Sequence, residues 1–310
     1  MPDFKPIVPR VVDPGGVDAS PHARPMPVTT DESRAATVGE TGGQPLIDFD
    51  GTSNPYIDYQ SIDLLLSLQH PRSEGYDEMC FFVMGQVKEL LFRGLHFELV
   101  NAQRQIREGA VDNALLILDR ATAYVDYIES SWDLLTTITA DGFNQFRDTL
   151  GTASGQLSFM YRHVEFILGN KSEQLALAHS NVPHVWPALE EALRSPSLYD
   201  DVIALLARAG HPIDDAALDR DWSQPYAADP SVEAAWRAVF TDPSQGNRLY
   251  RLGQSLLTLD QTFLQYRWRH FTSVERIIGY KPGTGGSSGV GWLEQVTRHK
   301  FFPEIWATAN

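Results

Sequence analysis

The chain has 310 residues, 43% of them hydrophobic, which is enough to bury one large core or two modest ones. Its formal charge of -15 at pH 7 argues against a nucleic-acid partner, because such a surface repels phosphates. A single cysteine, Cys80, excludes an internal disulfide framework and any multi-thiolate metal site, and no run of about 18 apolar residues is present to span a membrane. With no charged-then-apolar leader at its start, the chain is expected to be cytoplasmic.

Residues 1–43 are rich in Pro, Gly, Ser and Thr and have little apolar periodicity. They are expected to form a flexible arm, disordered or draped over a neighbouring subunit. From about Tyr56 the pattern turns helical: Ile62, Leu65, Leu66 and Leu68 make an apolar face that Pro71 ends. Asp77 is placed to cap a long helix carrying Phe81, Phe82, Val83, Val87, Leu90, Leu91, Leu95 and Leu99. Another helix is predicted from about Val111 to Ile138, with Leu115, Leu118, Ala121, Val125, Ile128, Trp132 and Leu135 on one side.

Further helices are predicted over 156–168 and 249–278. Between them, residues 180–245 are punctuated by Pro183, Pro187, Pro196, Pro212, Pro225 and Pro230. That region reads as a small helical insertion in a domain spanning 44–310. Strand signals are nearly absent, so the fold class is all-α, a single-core helical bundle.

The last long helix leads into the most distinctive stretch of the chain, RWRHFTSVERIIGYKPGTGGSSG, residues 267–289. Trp268, Phe271, Val274, Ile277 and Ile278 recur at the spacing of a buried helical face, and His270 sits among them. The glycine-rich loop that follows suits tight turns or a close approach to a ligand. No GK[ST] closes it, so it is not a phosphate cradle. An imidazole there can offer a nitrogen to a metal while the loop closes over the metal's cargo; it can equally be a hydrogen-bonded core histidine. Seven tryptophans and 11% aromatic residues suit a flat aromatic or macrocyclic pocket.

Three more segments narrow the choice. They are YIDYQSIDLLLSLQHPRS from Tyr56, DEMCFFVMGQVKELLFRGLHFEL from Asp77, and FNQFRDTLGTASGQLSFMYRHVEFILGNK from Phe143. With the 267–289 stretch, they resemble the tryptophan 2,3-dioxygenase family in order and spacing, from about Tyr56 to Trp306. The resemblance implies an all-helical haem protein, usually a homotetramer, in which one histidine is the only protein ligand to the iron of haem b. His270 matches that ligand. Arg147 matches the arginine whose guanidinium fork clamps the substrate carboxylate.

Phe81 and Phe143 match aromatic positions lining the indole pocket. Ala153, Ser154 and Gly155 match a small-residue turn beside the haem, and Trp132 matches an aromatic at the haem edge. Thr284 matches a hydroxyl that helps hold the substrate ammonium. Tyr56 and Tyr59 match residues that enter a neighbouring subunit's site, although Gln60 stands where the family usually has leucine. Each of these has a plainer structural alternative, as core packing, a helix-end ion pair or a turn.

One departure bears on chemistry. Where the family usually has a histidine followed by Gln, this chain has Gly85 and Gln86, so the imidazole that accepts the indole N–H is missing. Glycine inside a helix costs about 1 kcal/mol relative to alanine, which suggests that space is needed there. Gln156, Leu157 and Leu91 also replace usual residues. The expectation is therefore a haem-dependent monooxygenase of tryptophan or a β-methyl tryptophan, as in the oxindole-forming tryptophan monooxygenase branch. It would insert one oxygen atom at indole C2 to give a 2-oxindole, using peroxide, or dioxygen with an external reductant. The alternative is an ordinary tryptophan 2,3-dioxygenase that gives N-formylkynurenine. A haem-binding sensor without turnover is a third reading, against which Arg147 and Thr284 speak.

Overall fold

The computed structural model describes residues 28–49 and 54–308. The chain forms two compact units that divide between His70 and Pro71. No strand occurs among the described residues.

In the first unit, α1 (Asp31–Thr41) begins at a reciprocal cap: the Thr30 hydroxyl accepts from the Ser33 amide and the Ser33 hydroxyl accepts from the Thr30 amide. Gly42, with φ +61°, closes the helix, none of whose residues is buried. Residues 1–27 of the expected flexible arm lie outside the described residues. Next, α2 (Pro55–Gln60) is capped by the Asn54 side chain, and Ser61, at φ +52°, turns the chain into α3 (Ile62–Leu66). Leu66 and Leu68, expected on an apolar face, are exposed.

The second unit is built on three long helices: α4 (Glu78–Arg107), α5 (Val111–Ser130) and, much later in the chain, the helix Arg248–Ile278. Asp77 precedes α4 as expected, but its carboxylate makes no capping bond. Glu78 accepts from the amides of Arg72 and Ser73, both at 2.7 Å, and ties down the incoming loop instead. Gly109, at φ +75°, reverses the chain between α4 and α5. Leu95, Leu99, Ala102 and Ile106 of α4 are fully buried, as are Ala114, Leu118, Ala121, Val125 and Ile128 of α5. Each large side chain so buried contributes about 1.5–3 kcal/mol.

The helix expected to run on to Ile138 breaks after Ser130. The Ser131 hydroxyl donates to the Ile128 carbonyl at 2.6 Å, in competition with the helical ladder, and a separate turn, α6 (Trp132–Leu135), follows. Then come α7 (Ala140–Phe146), α8 (Phe159–Ile167) and α9 (Glu173–Ala176). The proline-punctuated region holds four helices, α10 (Trp186–Arg194), α11 (Leu198–Arg208), α12 (Asp215–Leu218) and α13 (Pro230–Phe240). Arg107 on α4 pairs with Asp201 on α11 at 2.9 Å. The long helix is α14 (Arg248–Ile278), followed by α15 (Val290–Val296) and α16 (Pro303–Ala307). Gly253 lets α14 approach α13, since a Cβ there would lie 2.7 Å from the rings of Trp236 and Phe240.

Candidate functional site

A cavity of about 330 Å³ opens between α4, α14 and two loops, within the size range of small-molecule pockets. Phe81, Gly85, Lys88, Glu89 and Phe92 line it from α4, and Tyr266, His270, Val274 and Ile277 line it from α14. Both sets recur every three or four residues, so each is one stripe of a helix turned to the same space. Trp268, expected on that stripe of α14, is 56% exposed, because it stands two residues from His270 and so on another face.

The His270 ring stacks on Trp132, with centroids 4.6 Å apart and 20° between planes. Burial first, and then the nearby Lys88 cation, push its imidazole down to about 3, so it is neutral at pH 7. Beside it, the buried Trp132 Nε1 is an orphaned donor among the described residues. No group of three or more metal-binding side chains occurs among the described residues. A metal held by His270 must therefore bring its remaining ligands with it, as a macrocycle does. The neutral imidazole and the largely apolar walls fit a histidine-ligated haem.

Gly85 faces this space with nothing within 4 Å of where a Cβ would stand. Across the cavity, the two glycine-rich segments singled out by sequence are tied together. Thr284 Oγ1 donates to the Ala153 carbonyl at 2.6 Å, Gln156 Nε2 donates to the Gly285 carbonyl at 3.0 Å, and Arg147 donates to the Pro282 carbonyl at 2.6 Å. Close approach requires the glycines: a Cβ on Gly285 would lie 2.7 Å from Ser154 Cβ, and one on Gly289, at φ +66°, would lie 2.6 Å from the Lys281 carbonyl.

The two matched stretches of the chain, residues 40–239 and 237–310, fit the family model described as tryptophan 2,3-dioxygenase. The chain belongs to the tryptophan 2,3-dioxygenase family. Among its relatives is a tryptophan 2,3-dioxygenase of Burkholderia pseudomallei (strain 1106a), 43% identical over 260 residues, which are 84% of this chain and 85% of the relative. Another, of Burkholderia mallei (strain SAVP1), is 42% identical over the same coverage.

In this family member, nine of the residues singled out by sequence line the one cavity: Phe81, Gly85, Trp132, Phe143, Ala153, Ser154, Gly155, His270 and Thr284. Arg147 is not among the lining residues; it stands on the adjoining loop, held to Pro282. Tyr56 and Tyr59 belong to the first unit and are 63% and 76% exposed. Of the other departures from the family pattern, Gln156 lines the cavity, whereas Leu91 and Leu157 do not. Leu91 is six residues beyond Gly85, about 120° round a helix of 3.6 residues per turn, and so on another face of α4.

Among the lining residues that escaped the sequence reading are Lys88 and Glu89. Lys88 holds its ammonium 3.1 Å from the centroid of the Trp132 ring, and burial pushes it down to about 7. Glu89 is raised by burial, with the Ser158 hydroxyl acting the other way. Their offsets of three and four residues from Gly85 were the signal available in the sequence.

Proposed function

We propose that the chain is a haem-dependent oxygenase of tryptophan or a closely related indole amino acid. The observation that supports it is the single cavity that gathers His270, the open space at Gly85 and both glycine-rich segments. His270 would hold the haem from one side, with Trp132 packed against its ring. The haem supplies the means of activating dioxygen.

The rest falls to this chain's own side chains. Arg147 receives the substrate carboxylate, for which its planar fork is suited. Thr284 already donates its hydroxyl proton to Ala153, so its lone pairs remain free to accept from the substrate ammonium. Phe81 and Phe143, whose rings pack on each other with centroids 5.9 Å apart, offer one aromatic wall to the indole. A homotetramer in which Tyr56 and Tyr59 complete a neighbour's site fits their exposure.

Of the two products weighed from sequence, the names of the relatives favour N-formylkynurenine over the 2-oxindole first expected. That outcome places both atoms of dioxygen in the product and needs no external electrons. The second reading is insertion of one oxygen atom, and Gly85 is the observation in its favour. No imidazole stands there to accept the indole N–H, and an unfilled space takes its place, so the ring's angle to the oxidant is less constrained.

The test is incubation of the haem-loaded protein with L-tryptophan, labelled dioxygen and a reductant, followed by mass spectrometry. Two labelled oxygen atoms support the dioxygenase and one supports the monooxygenase. No consumption of oxygen, together with no product when peroxide replaces it, would sink both. Gly85→His is expected to raise the share of ring-opened product, and an unchanged ratio would remove Gly85 from the argument.

A further inference from the structure

Three basic side chains line the cavity: Lys88, Arg162 and Arg267. The two arginines share one buried carboxylate, Glu165, which pairs with Arg162 and lies 3.4 Å from Arg267. Lys88 differs. Among the described residues it has no hydrogen bond and no ion pair, and its one close polar contact is the face of Trp132.

The nearby acids are engaged elsewhere. Asp133, next to Trp132 in the chain, pairs with Arg269, and Glu89 interacts with Ser158. A ring face attracts an ammonium less strongly than a carboxylate does, and a desolvated cation without an anion is costly. The Lys88 side chain is partly buried and lines the cavity.

We propose that Lys88 is the counter-cation for a carboxylate that enters the cavity beside Trp132. The carboxylate has two possible sources: a porphyrin propionate, with Arg147 left to hold the substrate, or the carboxylate of an indole substrate, in which case Lys88 and not Arg147 is its clamp. The inference deepens the haem-oxygenase reading, yet the charge argument itself needs only the cavity.

The experiment compares the full-length chain with Lys88→Met, which keeps the apolar stem against Trp132, and Lys88→Arg, which keeps the charge. Each is titrated with haemin, with haemin dimethyl ester, and, in both haem-free and haem-loaded form, with indole-3-propionate and its alcohol analogue. If a propionate is the partner, Lys88→Met weakens haemin about tenfold and leaves the dimethyl ester unchanged, and Lys88→Arg restores haemin. If a substrate carboxylate is the partner, haemin is unaffected, and indole-3-propionate loses about tenfold while the alcohol does not.

Equal binding by all three proteins overturns the proposal, as do equal losses for charged and neutral probes, which would mark a packing role. A wild-type chain that takes up no haemin sinks the haem reading alone, provided indole-3-propionate still binds through Lys88. If neither binds, both readings fall.

Discussion

Replacing Gly85 with alanine separates the space at this position from its chemistry. In a helix interior the exchange removes backbone freedom from the unfolded chain and gains about 1 kcal/mol. The full gain is available because no atom lies within 4 Å of the new Cβ. For a unit of this size, that corresponds to a rise of about 2–4 °C in Tm. Two other helical glycines act as controls. At Gly94 the new Cβ would lie 2.5 Å from the Tyr124 ring, and at Gly253 it would lie 2.7 Å from Phe240 and Trp236. There the same propensity gain is met by overpacking, which typically costs about 1–3 kcal/mol, so both variants should be less stable than Gly85→Ala. The assay is thermal unfolding of the haem-free chain followed by far-ultraviolet circular dichroism. A lower Tm for Gly85→Ala, or an equal rise at Gly94, would refute the reading of Gly85 as a residue facing empty space.

Other outcomes follow from the same geometry. His270→Ala should abolish the Soret band of haemin-loaded protein while leaving the helical signal intact; a normal Soret spectrum would remove His270 as the ligand. Arg147→Lys keeps the charge but loses the planar fork, so KM for the amino acid should rise about tenfold with a smaller change in kcat. Equal KM values for the two proteins would count against the clamp. Burial, aided by Arg93, holds His163 down to about 4, and burial with His163 itself holds His96 down to about 3, against 6.5 for both when exposed. Below pH 6.5 the unfolded chain therefore takes up protons that the folded chain does not, and stability should fall as pH drops from 6.5 toward about 4. Urea midpoints measured across that window check the sign, and His163→Gln should flatten the slope.

What the sequence by itself determined follows from the regular geometry of a helix. A period of 3.6 residues puts Leu95, Leu99, Ala102 and Ile106 on one buried stripe, and it likewise makes α14 present His270, Val274 and Ile277 to one space. Such relations are local, so an all-α bundle and a helix-borne histidine could be read directly. The break after Ser130 was less legible, because a single side-chain hydrogen bond outweighs a continuous apolar pattern there.

Only the tertiary structure decided what those helices face. It set Trp132 against His270, across 138 positions of chain, and put Lys88 over the same ring with no carboxylate to answer it. It also joined Thr284 to Ala153 and Arg147 to Pro282, pairs separated by 131 and 135 positions. Periodicity says which residues share a side of one helix. Which sides meet depends on how the whole core closes, and it is that closure which makes a pocket from residues far apart in the chain.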